Sequence, residues 1–223
     1  MTKIIFDIET SGRDWENFDE EQRKYLLKFS KTEEEIAGAK DQLALHAVTA
    51  EIVCIGLLNP DTNKGAVYYR AEKADKKEEF TENNILYSAG SETEILEKFW
   101  ANVKNYRQFI TFNGRGFDCP FLLIRSAILG VKATKNLMPY RYAANEHVDL
   151  LEQLTFHGAA RKFNLDFYCK AFGIASPKSH GLNGHDVPAY FRAGKILAIA
   201  KYCAGDLYAT KELYERWRKY MMA

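Results

Sequence analysis

Residues 4–9 read Ile-Ile-Phe-Asp-Ile-Glu, an apolar run with acids set at alternate positions. A short run of β-branched and aromatic residues forms a buried strand. Side chains alternate between the faces of a strand, so Asp7 and Glu9 project from one side. A carboxylate inside an apolar strand is costly unless it is paired or holds a cation. One buried ion pair would account for Asp7 alone. Glu9 repeats the charge on the same face, and two neighbouring carboxylates repel until a cation relieves them. The fold must therefore bring positive charge to one face of a sheet.

The rest of the chain alternates strand-like and helical patterns. Residues 11–46 interrupt them as an acidic insertion, with Tyr25, Leu26, Phe29, Ile36 and Leu43 at roughly helical spacing. Residues 51–58 and 65–70 read as further strands joined by a turn at Asn59-Pro60-Asp61. Lys73 to Asn84 reads as a charge-rich connection. Ser91-Glu92-Thr93-Glu94 has the form of a capping box and opens a helix. Residues 109–112 form a short strand, and Cys119-Pro120 opens a helix stopped by Gly130. Residues 132–146, with Pro139, are irregular. Helices are predicted over 148–154 and 164–172, a flexible loop over 176–186, and two last helices over 188–203 and 206–221. This order fits an α/β fold in which helices flank a mixed sheet.

With 223 residues and 47% hydrophobic content, the chain can bury one sizeable core, so one domain over 1–223 is expected. A net charge of +1 excludes a strong whole-molecule field. Any nucleic-acid site must be a local basic patch, and basic residues are richer from Arg115 to Lys178. Cys54, Cys119, Cys169 and Cys203 have neither a C-x-x-C pair nor zinc spacing, so buried free thiols in a reducing compartment are expected. No leader-like segment opens the chain, and no apolar stretch approaches the roughly 20 residues that span a bilayer. The expected location is cytoplasmic, without membrane contact.

Two later segments repeat the acid-in-apolar theme. One is Thr111-Phe112-Asn113-Gly114-Arg115-Gly116-Phe117-Asp118, and the other Tyr202-Cys203-Ala204-Gly205-Asp206. Read alone, Asp118 and Asp206 each suit the first turn of a helix equally well. Tyr202 stands one helical turn before Asp206, which favours a shared face. Phosphodiester hydrolysis needs an activated water and stabilisation of the leaving oxygen, which two divalent cations about 4 Å apart supply. Mg²⁺ and Mn²⁺ prefer oxygen ligands, and Asp7, Glu9, Asp118 and Asp206 offer four carboxylates. Tyr140, Tyr142, Phe156, Tyr190 and Phe191 are candidates for stacking on bases.

In this order, the three segments resemble the three motifs of the DEDD superfamily of 3′-to-5′ exonucleases, whose fold is ribonuclease H-like. The Tyr-x-x-x-Asp form resembles the DEDDy branch. Within it, the chain is similar to stand-alone predicted exonucleases related to the proofreading domain of family-B DNA polymerases. Asn164-Leu165-Asp166 through Lys178, and Gly181-Leu182-Asn183-Gly184-His185-Asp186-Val187, resemble their segment before the third motif.

The resemblance implies that Asp7, Glu9 and Asp206 ligate one cation. Asp7 and Asp118 would serve a second, and Tyr202 would orient the attacking water. It places Thr10 beside the terminal sugar, with Asn113 and Phe117 along the strand's path. The implied substrate is a single-stranded 3′ end of DNA or RNA, released as 5′-mononucleotides. A binding module with little catalysis, or an endonuclease of the same fold, are the rivals, and the tyrosine favours an exonuclease. The 11–46 insertion departs from the pattern and is a candidate surface for a protein partner. His185 stands where a smaller polar residue is expected, and an exposed loop histidine is its ordinary reading.

Overall fold

The computed structural model describes residues 1–71, 78–175 and 182–222. Its strands are β1 (Lys3–Gly12), β2 (Ala50–Leu58), β3 (Gly65–Arg70), β4 (Glu79–Glu82), β5 (Ile85–Gly90), β6 (Gln108–Thr111) and β7 (His147–Asp149). They form one seven-stranded sheet in the order β4-β5-β3-β2-β1-β6-β7. Antiparallel β1–β2, β2–β3 and β4–β5 pairings combine with parallel β3–β5, β1–β6 and β6–β7 pairings. The sheet is mixed and flanked by helices, as the sequence implied.

The helices are α1 (Glu20–Leu26), α2 (Glu33–Asp41), α3 (Glu92–Val103), α4 (Asp118–Ile128), α5 (Leu150–Leu154), α6 (Leu165–Phe172), α7 (Val187–Arg192) and α8 (Ile196–Tyr220). Strand alternation sorts β1 between two cores. Ile4, Phe6 and Ile8 pack with Ile95, Leu96, Phe99 and Trp100 of α3 and Leu122 of α4. Ile5 packs with Ile199, Ala200, Cys203 and Leu207 of α8. Each fully buried side chain of this size contributes roughly 1.5–3 kcal/mol. Asp7 and Glu9 share the parity of Ile5, so they lie on the α8 face.

A buried ion pair ties the α3 face to the sheet. Arg125 of α4 donates from Nε and Nη2 to Glu92 at 2.9 and 2.7 Å, and Glu92 also accepts from the Ile52 N–H at 2.8 Å. The Ser91–Glu94 capping box forms at the start of α3 as expected. All four cysteines are buried and free. No described helix is long and apolar enough to cross a membrane.

Four expectations need correction. Residues 148–154 are not one helix, because His147-Val148-Asp149 adds β7 to the sheet edge before α5 begins. The last two helices do not divide at 203–206. They divide at Gly194, whose φ of 71° suits glycine, and α8 runs unbroken through Asp206. Within the stretch to Asn84 that the sequence suggested as a connection only, Glu79–Glu82 forms β4 and pairs with β5 as a hairpin. β1 also continues to Gly12, past a bulge between Glu9 and Thr10. Residues 72–77 of the charged connection and 176–181 of the predicted loop lie outside the described residues.

Candidate active site: a carboxylate cluster between the central strand and the longest helix

β1 carries Asp7 and Glu9 toward α8, and α8 carries Asp206 back toward them. The close approach depends on a glycine. Gly56 of β2 stands opposite Asp7, and a Cβ there would lie 2.7 Å from Cys203 Sγ and 2.8 Å from Leu207 Cδ1. A side chain at position 56 would crowd Cys203 and Leu207 of α8, which would have to give way. The Cys203 thiol lies 3.7 Å from Asp7 Oδ2, a weak hydrogen bond that fixes this contact.

Each of Asp7, Glu9 and Asp206 offers a carboxylate oxygen within 4.8 Å of the others. Glu9 and Asp206 are buried, and Asp7 is half-buried. No described lysine or arginine forms an ion pair with Asp7 or Glu9, which disposes of the buried-pair reading of Asp7. Burial raises the pKa of Asp7 well above the ordinary carboxylate value, and the charges of Asp118 and Asp206 raise it further. Burial and then Asp7 do the same to Glu9. Converging oxygen donors of this kind fit a hard divalent ion.

Asp118 stands behind this cluster. It is the first-turn acid of α4, one residue after Phe117 at the N-cap, but its longer-range contact is to the sheet. Oδ1 accepts the Ile8 N–H at 3.0 Å, just beyond the end of the β1–β6 pairing at Ile5. Burial pushes its pKa up to about 7, partly offset by its backbone hydrogen bonds. Asp206 is not a first-turn acid, because it sits well inside α8. Tyr202, one turn earlier, faces the same acids, and burial followed by the charges of Asp206, Glu9 and Asp7 raises its pKa.

These groups form one wall of a cavity of about 350 Å³, which Asp118 does not line. Thr10, Phe112 and Phe117 line the same cavity, and Asn164, Asp166, Asn183 and His185 enclose it too. The insertion reaches this mouth. Thr10 Oγ1 donates to the Ala44 carbonyl at 2.7 Å, and Ala44 and Leu45 form part of the rim. His185 is exposed, as expected, but stands on that rim.

Asn113 lies elsewhere. It lines a second cavity of about 410 Å³, with Arg115, Arg141 and Lys162. Asp149, which sequence reasoning missed, shapes the loop between them. It accepts the Asn113 and Arg115 N–H groups at 3.0 and 2.8 Å and caps α5 through Leu151. The signal available was an acid between Val148 and Leu150. Asp166 was missed as a rim residue, although it lies in one of the segments that carry the resemblance.

Known proteins offer three likenesses. A family model described as "Predicted 3'-5' exonuclease related to the exonuclease domain of PolB" matches residues 64–222, which include Asp118, Tyr202 and Asp206 but not Asp7 or Glu9. DNA polymerase 1 of Sulfurisphaera ohwakuensis is 26% identical over 131 residues, 52% of this chain and 15% of that polymerase. The family B DNA polymerase of the archaeon Pyrobaculum calidifontis matches in structure with a TM-score of 0.61 and 17% identity, over 97% of this chain and 24% of its own. That likeness carries the ribonuclease H-like fold across β1 as well. The chain thus spans about a quarter or less of the length of either polymerase. It belongs to the family of predicted 3′-5′ exonucleases related to the exonuclease domain of PolB.

Proposed function

We propose that this chain, as one catalytic unit over residues 1–223, is a metal-dependent exonuclease. It removes 5′-mononucleotides from the 3′ end of single-stranded DNA or RNA. The observation that carries the reading is the convergence of Asp7, Glu9 and Asp206 within 4.8 Å without a described lysine or arginine paired to Asp7 or Glu9. Two bound divalent cations, Mg²⁺ or Mn²⁺, would supply charge stabilisation for the attacking water and the leaving oxygen.

Asp7, Glu9 and Asp206 would hold one ion, and Asp7 with Asp118 the other. Asp118 already fixes the backbone of β1 at Ile8. Tyr202, set beside Asp206, orients the attacking water through its phenol. Thr10 and Phe117, both in the cavity wall, border the terminal nucleotide. Asn113 marks the way toward the second cavity. The 11–46 insertion, docked at the mouth through Thr10, limits access and offers a surface to a protein partner.

A linear and a circular single strand of one sequence separate the readings. An exonuclease yields mononucleotides from the linear strand in Mn²⁺ and leaves the circle intact. Cleavage of the circle would overturn the exonuclease assignment in favour of an endonuclease. Binding without any cleavage would leave a binding module.

A further inference from the structure

A surface beside the acid cavity, within residues 139–168, is not used by the chemistry above. A chain of aromatic rings leads to it. Phe112, in the cavity wall, meets Tyr168 edge to face at 5.9 Å. Tyr168 meets Phe163 at 6.1 Å, and Phe163 stacks flat on Phe167 at 4.5 Å. Phe167 is 55% exposed, and the Arg161 guanidinium lies 5.0 Å from the Phe163 ring centre.

A second ring group follows. Tyr140 and Tyr142 are exposed and meet at 5.6 Å. The second cavity joins the two groups. Its lining includes Arg141, between the tyrosines in sequence, and Lys162, between Arg161 and Phe163. Arg161 and Lys162 have no acidic partner among the described residues. Arg115 and Arg141 share the carboxylate of Glu152, and with Lys162 against Asp149 and Glu152 the lining carries one more cation than acids.

Phe156 adds an independent observation. It is 64% exposed and has a φ of 48°, followed by His157 at 57° and Gly158 at 101°. Left-handed backbone at two successive non-glycine residues is strained, and strain of this kind clusters where a fold presents a functional group. Here it holds a phenylalanine out in water.

We propose that this surface binds the single-stranded nucleic acid upstream of the nucleotide being removed. Exposed rings interleaved with unpaired cations suit that ligand, because bases stack on the rings while cations neutralise phosphates. Nearly every base has a stackable face, so the surface would grip the strand with little sequence preference. The proposal rests on the exonuclease reading only for the direction in which the strand runs.

The test is fluorescence anisotropy in EDTA with labelled oligothymidylates of about 3 and about 12 nucleotides, since an OB-type ring-and-cation groove spans roughly 4–16. The longer strand should bind wild-type protein much more tightly than the shorter one. Phe156→Ala with Phe167→Ala should cost at least about 30-fold in affinity for the longer strand, the scale of two lost stacked bases. Arg161→Gln with Lys162→Gln, an exposed pair that tests the charge of the surface, should reduce the salt slope by about 1.4. Tyr220→Ala, an exposed ring on the far end of α8, serves as the control. Equal affinity for both lengths, or wild-type affinity and slope in both double variants, would overturn the proposal. Metal-free binding is read apart from cleavage, so this surface can fail while exonuclease activity stands, and the reverse.

Discussion

At the scale of single residues, the site is a set of acids held against their own repulsion. The raised pKa values of Asp7, Glu9 and Asp118 fix the sign of a pH effect. Between the ordinary value of 3.8 and about 7, folded Asp118 keeps a proton that the unfolded chain has lost. Its contribution to stability therefore falls as pH rises through that window, and Asp7 and Glu9 act in the same direction. Metal-free protein should melt at a lower temperature at neutral pH than in mild acid, and Mn²⁺ should reverse the loss. Asp7→Asn should raise the metal-free melting temperature by roughly 2–4 °C for each kcal/mol of repulsion removed. It should also abolish the response to Mn²⁺. Melting curves across pH, with and without metal, check both.

Gly56 belongs to the same scale. Gly56→Ala should crowd Cys203 and Leu207 and, with Asp206 in its proposed role, cost at least about tenfold in activity, with a kcat loss larger than any change in KM, because the contact that seats α8 is disturbed. An unchanged kcat would show that the approach of α8 is not set there. The paired acids of β1 were legible in the sequence because burial and alternation act locally. Gly56, Asp149 and Asp166 were not, since each matters only through what the fold packs against it.

At the scale of elements, sequence legibility follows the range of the interactions. The capping box of α3 and the apolar run of β2 are local signals, and both elements form where expected. β7 has only three residues and gains its hydrogen bonds from β6, so its local pattern looked like the start of α5. α8 runs through Gly205 because its buried face, from Ile199 to Trp217, outweighs one weak helix former. That continuity removes the first-turn reading of Asp206 and puts Tyr202 beside it. The Glu92–Arg125 pair joins α3 to α4 under the sheet. Arg125→Met should destabilise by about 3–5 kcal/mol, because buried Glu92 loses its closest cation and keeps only a 3.8 Å contact with Arg70. Adding Glu92→Leu should recover much of that loss. Chemical denaturation of the single and double variants measures it, and equal losses in both would contradict the buried-charge account.

At the scale of the whole molecule, the balanced charge places any hold on nucleic acid in local features rather than a general field. The acid cavity, the second cavity and the ring-bearing surface lie along one end of the sheet, around the C-terminal ends of β1 and β6. The mixed sheet and its helical layers were legible from the order of apolar runs. The path from Phe112 through Tyr168 to Phe163 was not, because it joins residues from separate elements. The docking of the insertion through Thr10 and Ala44 was equally hidden, since it depends on a side chain meeting a distant carbonyl.

We propose above that Asp7, Glu9 and Asp206 form the metal-dependent centre of a 3′-to-5′ exonuclease. A gel time course on 5′-labelled single-stranded DNA and RNA tests it most directly, run with Mn²⁺, Mg²⁺ or EDTA, beside Asp206→Ala. The ladder should shorten from the 3′ end with metal, stop in EDTA, and slow by at least about 10²-fold in the variant, the scale of one lost transition-state stabiliser. A ladder of wild-type rate from Asp206→Ala, or cleavage that persists in EDTA, would contradict it.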